Sequence, residues 1–143
     1  MPTSKATAVW EGKLKDGNGR FSAASGSFGG TYTFATRFEG KKGATPEELI
    51  AAAHAACYSM ALSAGLEKAR TPVTSVTTEA ACTIETVDGS PKITTIALNV
   101  RAKVPGIAEA AFLEAAQSAK ENCPVSKALK ASVAISLQAT LET

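Results

Sequence analysis

The segment TPEELIAAAHAACYSMALSAGLEKAR, residues 45–70, constrains the fold more than any other. Thr45, Pro46 and Glu48 mark a helix start: a hydroxyl N-cap, a proline at the first helical position and an acid three residues after the cap, together a capping box. The residues that follow are mostly alanine or larger apolar groups, so the spacing predicts a helix buried nearly all round. One small sheet covers only part of such a helix, and a second copy of the chain, as a homodimer, is the expected remaining cover. The same segment raises a chemical question. It carries a single cysteine, Cys57, among groups where a thiol is ordinarily inert packing.

The remaining signals define an α+β class with strands and helices in separate runs. ATAVWEGKL, a turn at DGNG, RFSAAS, a glycine-rich loop and TYTFATR read as three strands, with Arg37 closing the third. After the long helix come two alternating strands. Val76, Thr78, Ala80, Cys82 and Ile84 share one face of the first, and Ile96, Leu98, Val100, Ala102 and Val104 one face of the second, joined as a hairpin through VDGSPK. Residues 105–122 read as an amphipathic helix with Ala108, Ala111, Phe112, Ala115 and Ala119 on its apolar side, a short helix starts at Pro124, and KASVAISLQATLE closes the chain as a strand. Residues 1–143 are expected to form a single domain, without repeats or linkers.

Composition removes several function classes. A net charge of +2 with dispersed Lys and Arg argues against nucleic acid as a partner. No apolar run is expected to approach the ~18 residues of a membrane span, and the N-terminus lacks a signal-peptide pattern, so a cytoplasmic protein is expected. Three cysteines without a CxxC, and one histidine, argue against a disulfide framework and against a structural metal; a disulfide in a reducing compartment is transient and catalytic.

Burial alone raises the pKa of Cys57, and a nearby cation reverses that. Arg37 is the candidate, because a guanidinium stays protonated when desolvated. Lowering a thiol pKa from about 8.5 to about 5.5 raises the thiolate fraction roughly thirtyfold at neutral pH, while a Brønsted slope of about 0.4–0.5 returns roughly twentyfold. The two nearly cancel. Arg37 therefore has to act in the transition state as well, donating hydrogen bonds to an oxygen that gains charge as a bond breaks, as in a peroxide.

Glu47 suits a different role, holding the guanidinium by a bidentate pair. On a helical wheel it lies about 80° from Cys57, while Glu48 lies about 180° away. Ten residues of straight helix rise about 15 Å, so Arg37 bridges the gap, the helix breaks near IAAAH, or the groups meet across a subunit boundary.

Cys123, just before Pro124, reads as an N-cap, an exposed position that favours thiolate and suits a thiol that resolves a sulfenic acid. Cys82 reads as strand packing. His54, three residues before Cys57, has two readings, the base of a Cys–His nucleophile or a hydrogen-bonded core residue. GKKGAT lacks the spacing of a phosphate loop and reads as a solvated turn.

RFEGKKGATPEELIAAAHAACYSMAL together with ENCPVSKALKA resembles the osmotically inducible protein C branch of the OsmC/Ohr peroxiredoxin family, and the likeness runs through AVWEGKL, ITTIALNVRAKVPGI and the closing strand. The resemblance implies antiparallel sheets packed around a buried central helix in an intertwined homodimer, with active sites at the subunit interface and no metal, haem or other cofactor. It implies reduction of organic hydroperoxides and hydrogen peroxide, with Cys57 peroxidatic, Cys123 resolving, and Arg37 and Glu47 as the active-site arginine and glutamate. It implies a role in oxidative and osmotic stress and a dithiol reductant, lipoylated proteins being the family's usual one. Cys82 is outside the family motif. Two other classes stand beside this reading: a Cys–His acyl transferase or thioesterase using Cys57 and His54, and a non-enzymatic stress or ligand-binding protein.

Overall fold

The structure, a computed structural model, describes residues 1–142; residue 143, the last of the expected domain, lies outside the described residues. The chain packs as two compact units, Met1–Leu49 and a second beginning at Ile50.

In the first unit β1 (Ala6–Glu11), β2 (Asn18–Ala23) and β3 (Gly29–Tyr32) form an antiparallel meander in the order β1-β2-β3. Gly19 pairs with Trp10 on one side and Tyr32 on the other, and a Cβ there would lie 2.5 Å from the Tyr32 ring. Only glycine admits the two rings, whose centroids are 5.6 Å apart. The expected third strand ends early. Thr33 caps a short helix, α1 (Phe34–Phe38): its hydroxyl accepts from the Thr36 amide while Thr36 Oγ1 accepts from the Thr33 amide. That reciprocal box offers the backbone a better local partner than a sheet edge, and it places Arg37 on a helix rather than at a strand end.

α2 (Pro46–Lys68) is one unbroken helix, and the Thr45 hydroxyl accepts from the Glu48 amide as the capping signal predicts. Of the three alternatives for bringing Arg37 and Glu47 to Cys57, a break near Ile50–His54 is absent. α2 is also long and apolar enough to cross a membrane by length and composition, which corrects the expectation from its sequence. In this chain it is a core helix along one stripe. His54, Tyr58, Leu62 and Leu66, spaced four apart, are fully buried, Cys57 and Ala61 are half-buried, and Met60 on the other side is 76 % exposed. Burial nearly all round is therefore not what one chain provides.

In the second unit β4 (Ser75–Val87) and β5 (Ser90–Lys103) form the expected hairpin, turned by Asp88 and Gly89, both at positive φ as a two-residue primed turn requires. Ile96, Leu98, Val100 and Ala102 are buried on one face of β5, and Val104 just past its end is buried too, as the alternation predicts. α3 (Glu109–Asn122) and α4 (Pro124–Leu129) follow, and β6 (Ala134–Glu142) returns parallel to β5, giving the order β4-β5-β6. The α+β class holds, but the sheet is mixed: β6 arrives through a helical crossover, and a crossover, unlike a hairpin, permits a parallel pair. α3 starts later than expected and buries Phe112, Ala116 and Ala119, while Ala111 is exposed.

The core of this unit joins Tyr58, Leu62 and Leu66 of α2, the inward face of β5 and Phe112, Ala116 and Ala119 of α3. Two hydrogen bonds fix α2 against its neighbours, Tyr58 Oη donating to the Ala116 carbonyl at 2.9 Å and Ser59 Oγ paired with Thr78 Oγ1 at 2.7 Å. Leu62→Ala, at a fully buried position, is expected to destabilise the chain by about 2–5 kcal/mol, measured as a lower urea midpoint with an unchanged slope.

Candidate active site

Four side chains with chemistry fall into two pairs, one in each unit. In the second unit Cys57, two turns into the buried part of α2, meets Cys123, the residue at the corner where α3 ends and α4 begins. Cys123 is both C-cap of α3 and N-cap of α4, with φ −55 and ψ 127. Its amide donates to the Ala119 carbonyl and its carbonyl accepts from Lys127, so the backbone turns sharply while both helices stay satisfied. The N-cap expectation holds; the expected exposure does not. Cys123 is fully buried because the corner turns its side chain inward under α2.

The two sulfurs hydrogen-bond each other, and both are thiols. Burial pushes Cys57 upward from the ordinary thiol value; the Val125 amide offsets part of this, and the Cys123 sulfur raises it further. Burial pushes Cys123 up too, but the Ser126 amide, the Cys57 thiol, the Ser126 hydroxyl and the Val125 amide all donate to it and bring it below that value. Within the unit the easier anion therefore sits on Cys123. Tyr58 is neutral, its pKa raised by burial and then by the charge at Cys123.

In the first unit Arg37 and Glu47 form the predicted pair. Arg37 Nη2 and Nε lie 2.7 and 3.0 Å from Glu47 Oε1, and Nε lies 3.4 Å from Oε2. Glu47 is 5 % exposed, and the guanidinium carbon stands 5.2 Å over the Phe38 ring. A carboxylate beneath and an aromatic face beside it hold the guanidinium in one plane.

His54 is not the base of Cys57. Its Nε2 lies 2.7 Å from Ser126 Oγ, and among the described residues its Nδ1 has no hydrogen-bond partner. Burial lowers its pKa, so the ring is neutral. Ser126 is the residue sequence reasoning missed. The signal was symmetric spacing, His54 three before Cys57 and Ser126 three after Cys123, one helical turn from each thiol. Cys82 packs at the edge of the core, on its expected strand face.

Comparison with known proteins adds to this geometry. The family model described as OsmC-like protein matches residues 39–138. The chain is similar to "Peroxiredoxin OsmC" of Escherichia coli (strain K12), 48% identical over 135 residues, or 94% of each chain. In fold it is similar to the organic hydroperoxide resistance protein OhrB of Bacillus subtilis, with a TM-score of 0.74, 24% identity, and coverage of 96% of this chain and 98% of the other. It is also similar to an organic hydroperoxide resistance protein from Elizabethkingia anophelis, with a TM-score of 0.77, 23% identity, and coverage of 99% and 98%.

Glu47→Ala leaves the guanidinium of Arg37 without its carboxylate. Because Arg37 is 35 % exposed, water recovers part of the loss, and the expected cost is about 1–2 kcal/mol in urea unfolding. Glu47→Gln, which keeps one acceptor, is expected to cost less.

Proposed function

The chain belongs to the OsmC-like protein family, and on that footing we propose that it is a metal-free, two-cysteine peroxidase that reduces organic hydroperoxides and hydrogen peroxide. The observation that carries the reading is the meeting of two thiols, half-buried Cys57 on α2 and buried Cys123 at the α3–α4 corner. A half-buried thiol beside a buried one is the arrangement a sulfenic acid needs for quick resolution.

In the proposed cycle the Cys57 thiolate attacks the distal oxygen of the hydroperoxide. The S–O bond forms as the O–O bond breaks, and the alkoxide leaves with a proton as alcohol. Arg37, aimed by Glu47, donates hydrogen bonds to that departing oxygen, a position where preorganised donors are worth most. The guanidinium also has to overcome the upward push that burial gives Cys57. Cys123 then attacks the sulfenic sulfur, and the Cys57–Cys123 disulfide forms as hydroxide leaves and becomes water. An external dithiol, a lipoylated protein in the form we favour, returns both sulfurs to thiols.

We place the protein in the cytoplasm as a homodimer, acting in the response to oxidative and osmotic stress. Support for the dimer comes from α2, of whose most apolar 18-residue window only 22% is buried within one chain. A second copy is the cover we propose, and it offers a route by which Arg37 and Glu47 of one protomer serve Cys57 of the other.

Cys57→Ser is expected to abolish peroxidase turnover with cumene hydroperoxide, and Cys123→Ser to allow a single sulfenate-forming event that stalls. Arg37→Leu should lower kcat/KM at least about a hundredfold. Full activity in Cys57→Ser ends the proposal. Met60→Lys puts a charge on the uncovered side of α2 and is expected to shift the protein from dimer to monomer in sedimentation; an unchanged dimer removes that helix face from the interface.

A further inference from the structure

The proposed cycle leaves one buried polar pair unused. His54 is fully buried and Ser126 is 1 % exposed, with Nε2 to Oγ at 2.7 Å, and the Ser126 hydroxyl also hydrogen-bonds the sulfur of Cys123. A serine hydroxyl has one proton to donate. Given to Cys123, it is not available to the imidazole, so the contact with His54 has to run from Nε2–H to Oγ. The second nitrogen agrees. Nδ1 has no hydrogen-bond partner among the described residues, and an orphaned buried N–H is a rarer arrangement than an under-used lone pair. Both observations select the neutral Nε2–H tautomer.

We propose that His54 and Ser126 are positioning residues for the resolving thiol: Nε2–H of His54 holds the Ser126 hydroxyl, and that hydroxyl holds the Cys123 sulfur aimed at Cys57. The proposal rests on the reading of Cys123 as the resolving cysteine. Its specificity comes from connectivity. Ser126 bonds Cys123, whereas the partners that act on Cys57 are the Val125 amide and Cys123 itself. The other titratable groups in or against this core are Cys57 and Tyr58, both on α2, and Cys82 on β4; the Tyr58 hydroxyl is committed to the Ala116 carbonyl. β5 and α3 contribute apolar side chains such as Ile96, Leu98 and Phe112.

No proton passes along the relay. Cys123 loses its proton to solvent, its sulfur attacks the sulfenic sulfur of Cys57, the S–S bond forms and the S–O bond breaks, and the leaving hydroxide takes a proton from solvent. The relay serves the step by holding the acceptor in place, and its effect is confined to resolution.

The test uses the full chain and follows two steps after mixing with cumene hydroperoxide: sulfenate formation, read by dimedone trapping, and disulfide formation, read by mass spectrometry across pH. Ser126→Ala should raise the pH midpoint of disulfide formation by about one unit, a tenfold slowing below the midpoint, because a hydrogen bond to a charged acceptor is lost. Sulfenate formation should stay within about twofold. His54→Leu should shift the midpoint in the same direction, and Ser126→Thr and His54→Gln, which keep a hydroxyl and a donor, should restore it. Nitrogen NMR of His54 should report the Nε2–H tautomer. An unmoved midpoint in Ser126→Ala, or the Nδ1–H tautomer, overturns the relay. If the unaltered chain forms no sulfenate, the peroxidase reading falls instead. The relay is then decided by ultraviolet thiolate titration of Cys123 in the Cys57→Ser chain, where Ser126→Ala raises the midpoint if the relay is real and leaves it in place if it is not.

Discussion

The packing of one helical stripe against one strand face is what the second unit depends on. Tyr58, Leu62 and Leu66 meet Ile96, Leu98 and Val100 and the inner residues of α3, and the burial of each large side chain contributes roughly 1.5–3 kcal/mol. This fixes the azimuth of α2. With the azimuth set, Cys57 can only turn toward the corner that carries Cys123, and the Tyr58 bond to Ala116 ties that side of α2 to the helix that ends there. The meeting of the thiols is thus a product of core packing, and no separate device is needed to bring them together.

With Cys123 fully buried and Cys57 half-buried, the electrostatics of the pair weigh heavily. Two adjacent sulfurs cannot both hold a charge cheaply, so the first anion settles where donors are most numerous, and four groups converge on Cys123. Cys57 has fewer partners inside its own unit, and the proposed function therefore assigns it a cation from outside that unit, for which a guanidinium that stays charged when desolvated is suited. Nε and Nη2 of Arg37 both donate to Glu47 Oε1, which limits the rotamer freedom of the guanidinium; in the proposed cycle less freedom is then lost when the oxygen begins to charge.

Much of the fold was legible in the sequence because it is written in short-range signals. Alternation over most of β4 and β5, interrupted by a register shift between Thr83 and Ile84, the Asp88–Gly89 turn and the Thr45 cap each act over a few residues, and these short-range signals carry the expected elements. The misses have physical causes. Thr33 and Thr36 make a threonine version of the capping box, which lacks the acid that usually betrays one, so Arg37 was read into a strand. The burial of Cys123 depends on two helices meeting at one residue, and the parallel return of β6 depends on the path of a crossover; both are tertiary facts. The pairing of Arg37 with Glu47 was recoverable because the helical wheel sets Glu47, and not Glu48, on the side of Cys57. The role of Ser126 was not, because it exists only once residues 54 and 126 are adjacent in space.

The corner that buries Cys123 has a consequence for the chain as a polymer. Once Cys57 and Cys123 are joined, the link closes a long stretch of sequence into a ring, and chain statistics put the freedom removed from the denatured ensemble at about 4 kcal/mol. That increment is comparable to a sizeable share of what holds a small domain together. In the proposed cycle the oxidised molecule would thereby be the more heat-resistant one, its melting temperature keeping a record of the last oxidant it met until a reductant erases it.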